Sequence, residues 1–372
     1  MSDPFPVVRI SGPPRERGRQ YGEQASGRIA ACLALYQGAW RDAGLSGQEA
    51  ILARARDFIP VIESHFPEQM EELRGIAEGA ERPVEELVAL NARTELLYGT
   101  AGAPQADKTE GGCTGAVILP RQPGDPVIIG QNWDWKPGCR DVAILLQVYP
   151  DEGPAFMTYV EAGMMGRNGL NEAGIGLCGN FLNSNHDFRQ GGIPIPFIRR
   201  AILSSPTLPQ AVGQVLGAQR AFSSNHLLAH RDGEAVDLEA APPQVFTVFP
   251  RDGLLVHANH FLGAGSALID TGVNRFPDSI FRDRRVRAHL ERKPGSLGVA
   301  DLQEALQDHF GHPYSVCRHR SITDGAEIET VASVVMNLTA GTMAVAQGPV
   351  CENRYTVYAP FAEPARKAAA GG

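Results

Sequence analysis

The hydrophobic pattern of this chain changes period once, and that change limits the folds open to it. Before Gly99 apolar residues recur at helical spacing, with Tyr21, Ala25, Ile29, Leu33 and Tyr36 on one face of residues 15–40. Residues 70–77 continue the period, as does a stretch from Pro83, at a first-turn position, through Leu87, Leu90 and Leu97. Ser46-Gly47-Gln48-Glu49 fits a capping box for a helix running past Ile59, which Pro60 bends or ends. Residues 100–112 are small, polar and glycine-ended, and read as an exposed connection. Beyond them the runs are short and bounded by turn residues. Segments 115–119, 127–132, 142–148, 155–160 and 175–181 predict strands of one sheet. Helices are expected over 196–203 and 208–216, strands over 226–229, 235–240, 244–248 and 254–258, and two more helices over 278–290 and 299–309. Segments 331–337 and 342–346 predict a closing strand pair, and the tail from Glu363 a loose end. Helices and strands grouped in blocks argue for α+β layers rather than βαβ alternation.

Composition removes other classes. Hydrophobic residues make up 43% and charged residues 20%, the balance of a globular chain with a sizeable core. With 34 Lys and Arg against 42 Asp and Glu, the net charge of -8 gives no reason to expect nucleic acid or an anionic membrane as partner. No apolar run approaches the roughly 20 residues of a spanning helix, and the first residues do not read as a secretory leader. Six cysteines (Cys32, Cys113, Cys139, Cys178, Cys317, Cys351) include no CxxC pair, which excludes a zinc ribbon or thioredoxin motif. Reduced thiols and a cytoplasmic location are expected.

One thiol differs from the rest. Cys113 follows Gly111 and Gly112 at the junction of loop and strand. Glycines there allow a strained, attackable peptide bond. A thiol attacking the Gly112 carbonyl would shift the acyl chain from N to S, and hydrolysis would free an N-terminal cysteine carrying nucleophile and α-amine together. That amine, with a pKa of roughly 7.7–8, can accept the thiol proton near neutral pH. Asp134 ends a strand soon after and could orient the amine; Asn259 ends another and offers a neutral oxyanion donor. By themselves these residues read first as a buried thiol, a turn or salt-bridge aspartate and an Asx turn.

Together with longer motifs, the set resembles the acyl-coenzyme A:6-aminopenicillanic acid acyltransferase family, the C45 branch of the N-terminal nucleophile hydrolases. Arg74-Gly75-Ile76-Ala77-Glu78-Gly79-Ala80-Glu81-Arg82 and Leu90-Asn91-Ala92-Arg93-Thr94-Glu95 resemble its helical pro-segment. Gly112-Cys113-Thr114, Gly130-Gln131-Asn132-Trp133-Asp134, Glu161-Ala162-Gly163, Asn168 through Gly174, His257-Ala258-Asn259-His260 and Ser315-Val316-Cys317-Arg318 resemble its catalytic segment. The resemblance implies a four-layer αββα sandwich with a helical N-terminal pro-segment. It implies self-cleavage between Gly112 and Cys113 into associated chains of residues 1–112 and 113–372. Cys113 would be nucleophile and, through its freed amine, base; Asp134 would sit near that amine, and Asn259 would form the oxyanion hole. Asn180 matches a second oxyanion asparagine of the related choloylglycine hydrolases. Trp133 and Arg318 are weaker substrate-contact candidates. The implied partners are a small-molecule acyl donor, which could be a coenzyme A thioester, an amine acceptor and the cleaved N-terminal chain, with no cofactor, nucleic acid or membrane.

The sequence departs from the pattern where the penicillin enzyme carries a Ser-Arg pair. Here Asp324-Gly325-Ala326-Glu327-Ile328-Glu329-Thr330 is acidic, so an amine or cationic acceptor is expected in place of a penicillin-like one. Other signals are set aside. Gly174 through Gly179 matches G-x-G-x-x-G, but poor helix formers follow it, and close strand packing accounts for it better. His226 and His230, and the group His309, His312 and His319, lack the Glu of a helical zinc motif, so no metal is expected. Arg282, Arg284, Arg285 and Arg287 read as a solvated helix face, with docking of a phosphate-bearing donor the alternative. The competing functions are an uncleaved, non-catalytic binding protein and a metal-dependent hydrolase built on the late histidines.

Overall fold

The computed structural model describes residues 5–45, 47–99, 112–189, 191–321, 323 and 327–362. Strand β1 (Val7–Gly12) precedes six helices: α1 (Pro14–Asp42), α2 (Gln48–Arg56), α3 (Ile59–His65), α4 (Pro67–Gly79), α5 (Val84–Asn91) and α6 (Arg93–Tyr98). There follow β2 (Gly112–Ile118), β3 (Ile128–Trp135), α7 (Cys139–Val142), β4 (Ala143–Pro150), β5 (Phe156–Glu161), β6 (Asn168–Asn171) and β7 (Ile175–Cys178). Then come α8 (Ile195–Leu203), α9 (Leu208–Leu216), β8 (Ser224–His230), β9 (Glu234–Ala240), β10 (Val245–Val248) and β11 (Leu254–His257). The chain closes with α10 (Ser279–Glu291), α11 (Val299–Ala305), β12 (Glu329–Asn337), β13 (Thr342–Gln347) and β14 (Thr356–Tyr358).

The strands form two sheets, ordered β1-β4-β5-β6-β7-β8-β9-β10 and β11-β2-β3-β12-β13-β14. They stack face to face. At their contact a Cβ on Gly176 would lie 2.6 Å from Ile129 Cγ2 and 2.7 Å from Leu338 Cδ2, so the small residue is set by sheet-on-sheet packing. The other face of the six-stranded sheet, with Ala116, Ile118, Ile128 and Val256, buries Val286, Leu290 and Leu302 of α10 and α11. Helices α8 and α9 lie on the outer face of the eight-stranded sheet. The layer order is αββα, as the family resemblance implies.

Four expectations are corrected. The strands foreseen as one sheet divide between two, because alternation marks a strand and not its partner. The N-terminal segment is not wholly helical, since β1 pairs in parallel with β4 at Val7↔Leu145. β6 went unforeseen, since its four residues begin and end with Asn. Helix α11 also stops at Ala305, short of His309. Ser46, residues 100–111 and the tail from 363 lie outside the described residues; Gly47 precedes α2, with no side-chain cap.

The N-terminal motifs prove to be docking surfaces. A Cβ on Gly75 or Gly79 of α4 would lie 2.1 Å from the Arg15 or Arg19 carbonyl of α1, so these glycines let the two helices touch backbone to backbone. Asn91 Nδ2 donates to the Leu87 and Gly163 carbonyls, and Asn91 Oδ1 accepts from the Met165 N–H. Arg93 pairs with Glu161 at 3.0 Å. One buried core thus includes Phe5 and Tyr21 as well as Trp133 and Val345. Among the described residues no helix is long and apolar enough to cross a membrane.

Candidate active site

Cys113 is the second residue of β2, and pairing with β3 sets Gly112 opposite Asp134 and Cys113 opposite Trp133. On its other edge β2 pairs with β11, at whose end Asn259 stands. The Cys113 N–H donates to Asn259 Oδ1 at 2.8 Å. The catalytic candidates therefore come from neighbouring strands, which explains why residues so distant in sequence meet. Gly112 is needed for space, not for the backbone freedom expected of it. A Cβ there would lie 2.7 Å from Asp134 Oδ2 and 2.9 Å from Arg318 Nε, and its φ is not left-handed.

Asp134 is fully buried. Its Oδ1 accepts from Thr330 Oγ1 at 2.6 Å, and that hydroxyl accepts the Arg318 N–H at 2.9 Å. Its Oδ2 has no hydrogen-bond partner among the described residues, with Arg318 Nε 3.5 Å away. Burial pushes the Asp134 carboxyl up to about 6, against the pull of Arg318 and Arg282. Burial, and then the Asp134 charge, raise the Cys113 thiol above its ordinary value. A thiol so placed is not an attacking thiolate by itself and needs a base.

Arg282 is the residue missed by sequence reasoning. It is 1% exposed, not part of a solvated face. It donates to the Cys113 carbonyl at 2.6 Å, Thr114 Oγ1 at 2.9 Å, Asn259 Oδ1 at 2.8 Å and Asp278 Oδ2 at 2.8 Å. The available signal was periodicity, because Ser279, Arg282, Val286 and Leu290 are the buried positions of α10. Of its neighbours, Arg285 pairs with Asp308 and Arg287 donates to the Leu254 carbonyl.

Asn180 and Trp133 line a cavity with Cys113, Asp134, Tyr98, Phe181 and Phe222. Both hydrogens of the Asn180 amide are committed, to the His257 and Ala258 carbonyls at 3.0 and 2.8 Å, and its Oδ1 accepts from Gln131. It braces the strand end that presents Asn259. Arg318 is not on the cavity wall and instead links Asp134 to Asp278, 2.6 Å from its Nη2.

The cavity carries Arg93, Arg167 and Arg199. Arg167 stacks 3.8 Å over the Trp133 ring and lies 3.6 Å from Glu161. Arg199 Nε has no hydrogen-bond partner among the described residues, and burial pulls its guanidinium down to about 9. Among the described residues, none of the acidic stretch behind the expected cationic acceptor lines this cavity. Asp324, Gly325 and Ala326 lie outside the described residues, while Glu329 turns to Arg140 at 2.7 Å.

The family described as "Acyl-coenzyme A:6-aminopenicillanic acid acyl-transferase" matches residues 121–349. The "Acyl-coenzyme A:6-aminopenicillanic-acid-acyltransferase 40 kDa form" of Emericella nidulans is 29% identical over 313 residues, 84% of each chain. Among solved structures, a mutant of the conjugated bile acid hydrolase from Clostridium perfringens covers 66% of this chain and 92% of its own, with 13% identity and a TM-score of 0.44. Penicillin V acylase from Agrobacterium tumefaciens covers 63% and 83%, with 13% identity and a TM-score of 0.37.

Proposed function

The chain belongs to the acyl-coenzyme A:6-aminopenicillanic acid acyltransferase family and is an enzyme of the acyltransferase and amidase kind, and we propose that it is a cysteine N-terminal nucleophile enzyme that cuts itself before Cys113. The observation that carries this reading is the bond from the Cys113 N–H to Asn259 Oδ1, made beside the orphaned Asp134 Oδ2. In self-processing, Asp134 takes the thiol proton, Sγ bonds to the Gly112 carbonyl carbon, and the C–N bond breaks as the Cys113 nitrogen is protonated. Water then hydrolyses the thioester and leaves a free α-amine.

In turnover the amine takes the thiol proton and Sγ attacks an amide or thioester carbonyl. Asn259 Nδ2 gives one hydrogen to the Phe181 carbonyl at 2.8 Å and keeps the second for the developing oxyanion. Arg282 holds the Cys113 carbonyl and Asn259 in register, and its charge disfavours protonation of the amine. The acyl group leaves Cys113 for an amine or for water. A thioester such as that of coenzyme A is a competent donor, because a thiolate leaves readily. The aromatic wall suits an apolar acyl group. Arg167 and Arg199 suit an anionic group on the substrate, which replaces the cationic acceptor expected from the acidic stretch.

The test is the intact mass of the purified protein under denaturing conditions. Splitting 40.0 kDa in proportion to 112 of 372 residues predicts pieces of about 12 and 28 kDa, the larger beginning at Cys113. A single uncut chain that stays uncut on incubation would overturn self-processing and return the binding-protein reading.

A further inference from the structure

Four side chains with no part in that chemistry converge on one point. His309 lies beyond α11, Cys317 and His319 in the loop leading to β12, and Cys351 beyond β13. The Nε2 of His319 is 3.1 Å from His309 Nε2, 3.6 Å from Cys317 Sγ and 3.5 Å from Cys351 Sγ. One ligand atom from each of the four lies within 4.8 Å of all the others. A neutral ring nitrogen offers either one hydrogen or one lone pair. His319 Nε2 can therefore hydrogen-bond only one of these three neighbours. A cation at the centre satisfies all four atoms at once.

We propose that His309, Cys317, His319 and Cys351 bind one zinc ion in a closed tetrahedral site. Zinc bonds of about 2.3 Å to sulfur and 2.0–2.1 Å to nitrogen, set tetrahedrally, separate ligand atoms by about 3.3–3.8 Å. The three spacings to His319 Nε2 fall at or close to that range, and the remaining ligand atoms lie within 4.8 Å of one another. Two thiolates and two imidazoles select zinc over magnesium or calcium, and four protein ligands leave no open position, which marks a structural site. Binding releases the two thiol protons to solvent, so the occupied site is neutral. None of the four residues lines the substrate cavity. His312, grouped with these histidines by sequence, is not one of the four. The consequence reaches the active site through the chain itself. Arg318, the partner of Asp134 and Asp278, lies between the ligands Cys317 and His319, so the ion would fix the loop that presents it.

The test uses the full-length protein, purified without chelator, reconstituted with zinc chloride and desalted. Elemental analysis is expected to give about one zinc per chain, falling below about a tenth in Cys317→Ser/Cys351→Ser and staying near one in Cys139→Ser. To keep the test decisive should the double variant fail to fold, the wild-type protein is also loaded with cobalt(II). A tetrahedral visible spectrum with a thiolate charge-transfer band, lost in Cys351→Ser, supports the site. A chain that takes up no zinc, a double variant that keeps it, or a Cys317–Cys351 disulfide in the peptide map overturns the proposal.

Discussion

Replacing Asp134 with Asn tests whether the fold holds a carboxylate at an energetic cost for the sake of self-processing. In the native structure burial moves this carboxyl from 3.8 to about 6. The folded value lies above the unfolded one, so the native state binds the proton more tightly. That contribution is complete below about pH 3.8 and is lost as the pH rises through about 6. The shift of roughly two units corresponds to about 3 kcal/mol. Asn does not titrate, and fixed differences such as its contact with Arg318 cancel when two pH values are compared. Urea unfolding in a Cys113→Ala background, where neither chain can cut itself, isolates the effect. Between pH 4 and pH 8 the stability difference should move by about 2.4 kcal/mol in favour of Asn. With Cys113 present, Asp134→Asn should stay uncut at 40.0 kDa at pH 8, where it gains most in stability. Stability curves that run parallel across the pH range, or wild-type cleavage by the Asn variant, would refute the reasoning.

Two further outcomes follow from the same geometry. Gly112→Ala puts a methyl group 2.7 Å from Asp134 Oδ2, closer than real Cβ contacts come, so the variant should keep its far-UV circular dichroism and remain uncut on a denaturing gel; normal cutting would show that the space is not needed. Arg199→Gln removes from the cavity wall a guanidinium whose Nε has no hydrogen-bond partner among the described residues, so KM for a carboxylate-bearing substrate should rise roughly 10- to 150-fold, about 1.5–3 kcal/mol, with kcat little changed and neutral acyl substrates unaffected. Equal loss on charged and neutral substrates would mean that Arg199 supports the cavity rather than the ligand.

The periods of the chain were sufficient for most elements. Residues 208–216 form α9 at the bounds their spacing predicts, because helix and strand follow from contacts between near neighbours. The junction at Cys113 and the candidates Asp134 and Asn259 could be named from residue type together with the family resemblance, and the fold brings them side by side. Four-residue β6 was not, having too few residues to show a period.

What tertiary structure alone decided is which distant atoms meet. Arg282 could be placed on the buried face of a helix by periodicity, yet only the packing of α10 against β2 brings it to the Cys113 carbonyl. Asn180 has the residue type of an oxyanion donor, and only the neighbouring carbonyls of His257 and Ala258 commit its amide to a brace. Gly112 reads in sequence as backbone freedom and in the fold as room for a carboxylate. Cys351 joins Cys317 and His319 across β12 and β13, a separation no local spacing encodes. Periodicity arises from the geometry of one segment, whereas site chemistry depends on desolvation and charge contributed by segments far apart in the chain.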